Sequence, residues 1–218
     1  MNVLCKKNNA FTIIELLVVI AIIGILVAII MPVASKWIEK SNDSKCLSNL
    51  RQIGVALKLY ANENNDTIVP AFSSSANPVT WQSRLDPYLG LPANTLRRGR
   101  AWQCPRFLKF PGTANRPSYV VNYNLTRFTQ PKRFVQLPQG RRFILVMENY
   151  NINHDFFNQS TLQGLNATQL AQVFRHPGSS LNTGTSRVLW SDLSISDATF
   201  SEVQANRFNL ASSLWVYE

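Results

Sequence analysis

The chain has 218 residues, a formal net charge of +10 and 45% hydrophobic residues. That length holds one domain of ordinary size plus an appendage and excludes two large domains, and the apolar content excludes a wholly disordered chain. The charge is uneven: residues 1–83 sum to +2, residues 84–142 to +11 and residues 143–218 to −3. A basic middle of this kind favours acidic surfaces such as nucleic acid, anionic lipid or an acidic polysaccharide, or else a solvated face whose Arg stems pack on apolar neighbours.

Lys6 and Lys7 precede an apolar run, Leu16 to Ala34, of 19 residues interrupted only by Gly24 and Pro32. At about 1.5 Å per residue such a helix spans roughly 30 Å, enough to cross the hydrocarbon of a bilayer. The positive-inside bias keeps Met1 to Lys7 cytoplasmic and sends the chain beyond about Lys36 outside, although Lys36 and Lys40 weaken the asymmetry. A cleaved secretory signal has a shorter apolar region with small residues at its far end. Here the small residue, Ala10, lies before the apolar run. Glu15 stands at the head of that run, either at headgroup level or as a functional charge needing a partner.

The stretch "AFTIIELLVVIAIIGILVAIIMP" closely resembles the class III amino-terminal signal of type IV pilins and type II secretion pseudopilins. The match covers the basic leader, the small residue before the cut, Phe11-Thr12, Glu15, and Gly24 and Pro32 within the apolar helix. The resemblance implies cleavage between Ala10 and Phe11 by a prepilin peptidase and methylation of the Phe11 amine. Ala10 departs from the usual Gly before the cut. The resemblance also implies that Glu15 pairs with the free amino terminus of a neighbouring subunit and so sets filament register, and that the helix loosens at Gly24 and Pro32. The implied partners are the peptidase, other pilin or pseudopilin subunits and an inner-membrane assembly platform. The chain then divides into a leader (1–10), a transmembrane and filament-core half of the helix (11–35) and an exported head (36–218), with the amino terminus cytoplasmic and the head periplasmic or in a filament.

Beyond Pro32 the helix continues, because Cys46, Leu47, Leu50, Ile53, Gly54, Leu57, Tyr60 and Ala61 recur at three- and four-residue steps. Asn64-Asn65-Asp66 ends it. Residues 68–115 read as an irregular excursion sealed to the core by Trp81, Tyr88 and Trp102, with a serine-rich tip at Ser73 to Ser75. Strands are predicted at Ser118 to Tyr123, Phe143 to Met147, Arg187 to Trp190 and Leu214 to Tyr217. A long helix followed by strands gives an α+β fold, pilin-like, with an antiparallel sheet packed on the helix.

"CLSNLRQIGVALKLYANENND", "WQCP", "SYVVNYN" and "FRHPGSSLNTGTSRVLWSDLS" look like a large bacterial group of pilin-like proteins, abundant in relatives of Planctomycetes, Verrucomicrobia and Lentisphaerae. That group's last motif places a His before an Asp-Gly hairpin turn. His176 and Asp192 occupy the corresponding places, with Leu193 where Gly is expected. Cys46 and Cys104 match two positions at which the group often has Cys. They would form one bridge closing a loop of about 58 residues, at roughly 4 kcal/mol in the chain-entropy model, or remain two buried thiols.

A hydrolase built on His176 and Asp192 lacks a nucleophile-elbow serine, so a structural role is expected: His176 bonding a backbone group, Asp192 closing a turn. Asp192, Asp197 and Glu202 supply acids for calcium but not at the spacing of a calcium loop, and no metal or cofactor is expected. The rival to a non-enzymatic filament subunit is a tethered binding module. It would capture DNA or an acidic polysaccharide through Arg84 to Arg142, stacking Trp81, Trp102, Tyr119 and Tyr123 on bases or sugars.

Overall fold

The computed structural model describes residues 13–72, 79–92, 100–107, 117–126, 130–137, 142–149, 156–157, 169, 173–176, 184–199 and 201–203. Lys6, Lys7, Ala10, Phe11, the serine tip at 73–75 and the strand expected at Leu214 to Tyr217 lie outside them. The chain divides into two compact units, Met1–Ser41 and Asn42–Glu218.

Helix α1 runs over Ile13–Glu63, 51 residues, through Gly24 and Pro32 without a break. Pro32 cannot donate to the Ala28 carbonyl, and the Ser35 hydroxyl donates to the Pro32 carbonyl at 3.0 Å. In the first unit every residue from Ile13 to Val33 is exposed. In the second unit Cys46, Asn49, Leu50, Ile53, Gly54, Leu57, Tyr60 and Ala61 are buried, one stripe of the helix. The helix ends as the Asn64 side chain bonds the Tyr60 carbonyl at 2.8 Å, while Asn65 and Asp66 turn left-handed at φ 55° and 63°.

The described parts of the excursion, 68–72, 79–92 and 100–107, carry regular structure that the turn-rich composition did not predict. Helix α2, Trp81–Leu85, is capped by Thr80, whose Oγ1 accepts from the Ser83 amide. Trp81 and Trp102 are buried edge to face, 5.1 Å between centroids, and the Trp102 indole donates to Asp86 at 2.8 Å. Tyr88 meets Tyr60 edge to face and donates to Glu63.

The sheet comprises β1 (Tyr119–Asn122), β2 (Ile144–Glu148), β3 (Phe156–Phe157), β4 (Ser186–Trp190) and β5 (Ile195–Ala198), in the order β3-β1-β2-β4-β5. Four strands are antiparallel neighbours, while β3 pairs parallel to β1, which the expectation of an antiparallel sheet did not include. Strands β1 and β2 are buried throughout because both faces of the sheet are covered. Tyr119, Val121, Leu145, Val146 and Leu189 join the cluster centred on α1. Val120, Ile144, Met147 and Val188 join a second cluster with Val173, Phe174 and Val203. A register shift between Ile144 and Val146 explains why Leu145 and Val146, adjacent in sequence, both belong to the helix side. A Cβ on Gly54 would lie 3.2 Å from Leu189 Cδ1, so the glycine admits β4 close to the helix.

The β4–β5 turn places Leu193 at φ 64°, the left-handed region for which a Gly would be the unstrained choice. Asp192 secures it: its Oδ1 accepts from the Ser194 amide at 2.9 Å and hydroxyl at 2.5 Å.

Candidate functional site

Two features stand out chemically: the bare apolar surface of α1 in the first unit, and a buried charged cluster in the second. The first follows from residue type. The run from Ile13 to Val33 is long and apolar enough to cross a membrane, and none of its residues is buried. Burying one large aliphatic side chain is worth about 1.5–3 kcal/mol, so an exposed surface of this extent favours an apolar environment such as lipid or another apolar surface.

The cluster forms where five segments meet. Asp43 and Cys46 are one turn apart on α1, Glu148 ends β2, Arg175 and His176 precede the β4 hairpin, Arg187 lies in β4, and Cys104 follows the turn at Arg100–Trp102. His176 is fully buried, with Nδ1 2.6 Å from Asp43 Oδ1 and Nε2 2.8 Å from Glu148 Oε1. Its main chain pairs with Thr185. Its side chain meets two carboxylates where a backbone partner was expected. Arg175, also buried, donates to Glu148 Oε1 at 3.1 Å and to the carbonyls of Asn149 and Ser118 at 3.2 and 3.1 Å, and lies over the Phe107 ring. Arg106 clasps the Asp43 carboxylate, and Arg187 donates from its amide to Glu148 Oε2 at 3.2 Å and from its side chain to Asp197 and the Asp43 carbonyl.

Burial pushes the Glu148 carboxyl upward, but the charges of Arg175 and His176 outweigh it and hold the group below its ordinary value. Asp43 follows the same logic, with burial opposed by Arg106 and His176, and is also lowered. His176 lies between these two carboxylates and links them through its two ring nitrogens. The sign of the pH effect follows. Carboxyls depressed below their ordinary 3.8 and 4.5 contribute stability that is present above those values and lost as pH falls through the folded-state values. Urea midpoints should be flat from pH 7 to about 5 and fall below about pH 4, and Glu148→Gln should flatten the acid limb. An equal acid slope in that variant would place the effect elsewhere.

Cys46 and Cys104 form a disulfide that ties α1 to the excursion, and Cys104 Sγ lies 3.7 Å from His176 Nε2. The Tyr119 hydroxyl donates to the Cys46 carbonyl at 3.1 Å.

His176 and Asp192 are bonded to different partners, so they make no catalytic pair. Of the calcium candidates, Asp192 binds Ser194, Asp197 binds Arg187 and Glu202 caps Thr199. The aromatic platform imagined for bases or sugars is corrected by burial. Trp81, Trp102 and Tyr119 are inside the core, and Tyr123 stacks on Phe72 at 5.9 Å. Within the basic stretch Arg106 is spent on Asp43, Arg133 on the Asn65 carbonyl, and Arg142 packs over Trp190.

Residues 5–31 match the family model for the prokaryotic N-terminal methylation motif. The chain is 41% identical over 59 residues to the type IV major pilin protein PilA of Myxococcus xanthus, 27% of each chain. It is 27% identical over 140 residues to the type II secretion system core protein G of Aeromonas hydrophila, 56% of this chain and 97% of that protein. The chain is thus similar to a type IV pilin over a short stretch and to a type II secretion core protein over more than half its length. It spans about a quarter of the length of the Myxococcus relative and nearly all of the Aeromonas one. No solved structure matches it.

Sequence reasoning missed Asp43, Glu148, Arg175 and Arg187. The available signals were a carboxylate three residues before Cys46 on the buried stripe, and a Glu closing the all-apolar run Phe143 to Met147. Neither has a partner nearby in sequence, so the ion pairs could not be read.

Proposed function

We propose that the protein is a structural subunit of a type IV pilus or type II secretion-like filament. A prepilin peptidase cuts it between Ala10 and Phe11, the Phe11 amine is methylated, and α1 carries it from the inner membrane into the filament with the head outside the cytoplasm. The observation supporting this most is the apolar first unit of α1, bare along Ile13 to Val33 and carrying Glu15 near its start, most of it within the matched methylation motif of residues 5–31. A filament gives that surface other helices to pack on. A carboxylate buried among them needs a cation, which the free Phe11 amine of the adjoining subunit supplies, and the pair enforces stagger because either member alone is strongly disfavoured. The head, fastened by its disulfide and ion cluster, supplies a rigid outer surface.

Glu15→Val tests the pairing. In cells carrying an assembly platform and peptidase, the variant should be cleaved and held in the membrane as the wild type is, while its share of the sheared filament fraction falls at least tenfold. Equal incorporation would remove Glu15 from any role in register.

A further inference from the structure

We propose that, in the dithiol state of the head, Cys46, Cys104, His176 and Glu148 form a tetrahedral site for a borderline-soft divalent cation, Zn²⁺ above all. One ligand atom from each lies within 4.8 Å of every other, and all four residues are buried. Two thiolates, an imidazole and a carboxylate make a donor set suited to zinc and unsuited to calcium or magnesium, which take oxygen.

The geometry is close to that of a zinc centre once the sulfurs part. At a Zn–S distance of about 2.3 Å the S···S edge of a tetrahedron is about 3.8 Å, roughly where two non-bonded sulfurs come to rest. Cys104 Sγ already stands 3.7 Å from His176 Nε2. Nε2 and Glu148 Oε1, 2.8 Å apart, need open only to about 3.3 Å to share an ion at metal–ligand distances near 2.0 Å. The supporting contacts are in place. Asp43 accepts from Nδ1 at 2.6 Å, the carboxylate–histidine arrangement that fixes a ligating ring with Nε2 forward. Arg175 and the Arg187 amide orient the Glu148 carboxylate.

The reaction balances with a phosphine as reductant. The S–S bond breaks, the phosphine takes oxygen from water to become its oxide, and each sulfur gains a proton. Binding of Zn²⁺ then releases a proton from each thiol, and His176 ligates through the Nε2 lone pair. Disulfide and metal are mutually exclusive fastenings of the same segments, and the site does not depend on the filament reading.

The test uses the full chain in detergent micelles, with Cys5→Ser so that only the two head cysteines remain. Reduced anaerobically with a phosphine, it should take up one Co²⁺ per chain. A thiolate-to-cobalt charge-transfer band and tetrahedral d–d bands should appear, and Zn²⁺ should displace the cobalt and raise the melting temperature. The oxidised chain should do none of this. Cys104→Ser should lose the charge-transfer band's full intensity, and Asp43→Asn, which touches no metal, should weaken Zn²⁺ binding about 10–100-fold. A reduced chain that stays folded yet shows no cobalt bands and no Zn²⁺-dependent melting shift overturns the proposal. If reduction unfolds the head, recovery of near-ultraviolet circular dichroism on adding Zn²⁺ supports it, and failure to recover overturns it.

Discussion

Glu148→Ala should destabilise the head by about 3–5 kcal/mol, the range for removing one member of a buried ion pair. The carboxylate is fully buried and takes three contacts, Arg175 Nε at 3.1 Å, His176 Nε2 at 2.8 Å and the Arg187 amide at 3.2 Å, while Arg175 also donates to the carbonyls of Ser118 and Asn149. Truncation leaves the buried Arg175 guanidinium without its carboxylate, and most of the cost is that uncompensated charge. Glu148→Gln keeps an acceptor and should cost less than Glu148→Ala, while Arg175→Met, which removes the opposing charge and keeps the apolar stem over Phe107, should partly rescue the Ala variant. Urea midpoints in detergent give the values. A loss under 1 kcal/mol for Glu148→Ala would mean that the cluster is hydrated and not structural.

Cys104→Ser should cost about 4 kcal/mol, since the bridge to Cys46 closes a separation of 58 residues and its loss returns that loop's freedom to the unfolded chain. Reduction of the wild type should lower the urea midpoint similarly in metal-free buffer. Because Cys104 Sγ contacts His176, the double variant Cys104→Ser/Glu148→Ala should depart from the sum of its singles by 0.5 kcal/mol or more. An unchanged midpoint on reduction would assign the tie between α1 and the excursion to Trp81, Trp102 and Phe107 instead.

What could be read from the chain was what depends on local period and composition. The stripe from Cys46 to Ala61 identified the buried face of α1, and β-branched and aromatic runs located β1, β2 and β4 within a residue or two. β5 escaped because its sequence, Ile195 to Ala198, alternates polar and apolar residues too weakly, and β3 is only two residues long. The sealing role of Trp81 and Trp102 was legible from size and hydrophobicity, and the same property defeated the idea that they stack on ligands. The cluster was illegible for a different reason. His176 is 133 residues from Asp43 and 28 from Glu148, so only the folded topology brings them together. Leu193 was visible as a departure from an Asp-Gly turn, and its backbone there is left-handed, at φ 64°.

The most direct measurement on the filament-subunit reading is the intact mass and amino-terminal sequence of the full chain co-expressed with a prepilin peptidase, beside Ala10→Glu. The reading predicts a chain beginning at N-methylated Phe11 for the wild type and an uncut chain for the variant. A wild-type chain still beginning at Met1 would contradict it and make Leu16 to Ala34 a plain membrane anchor.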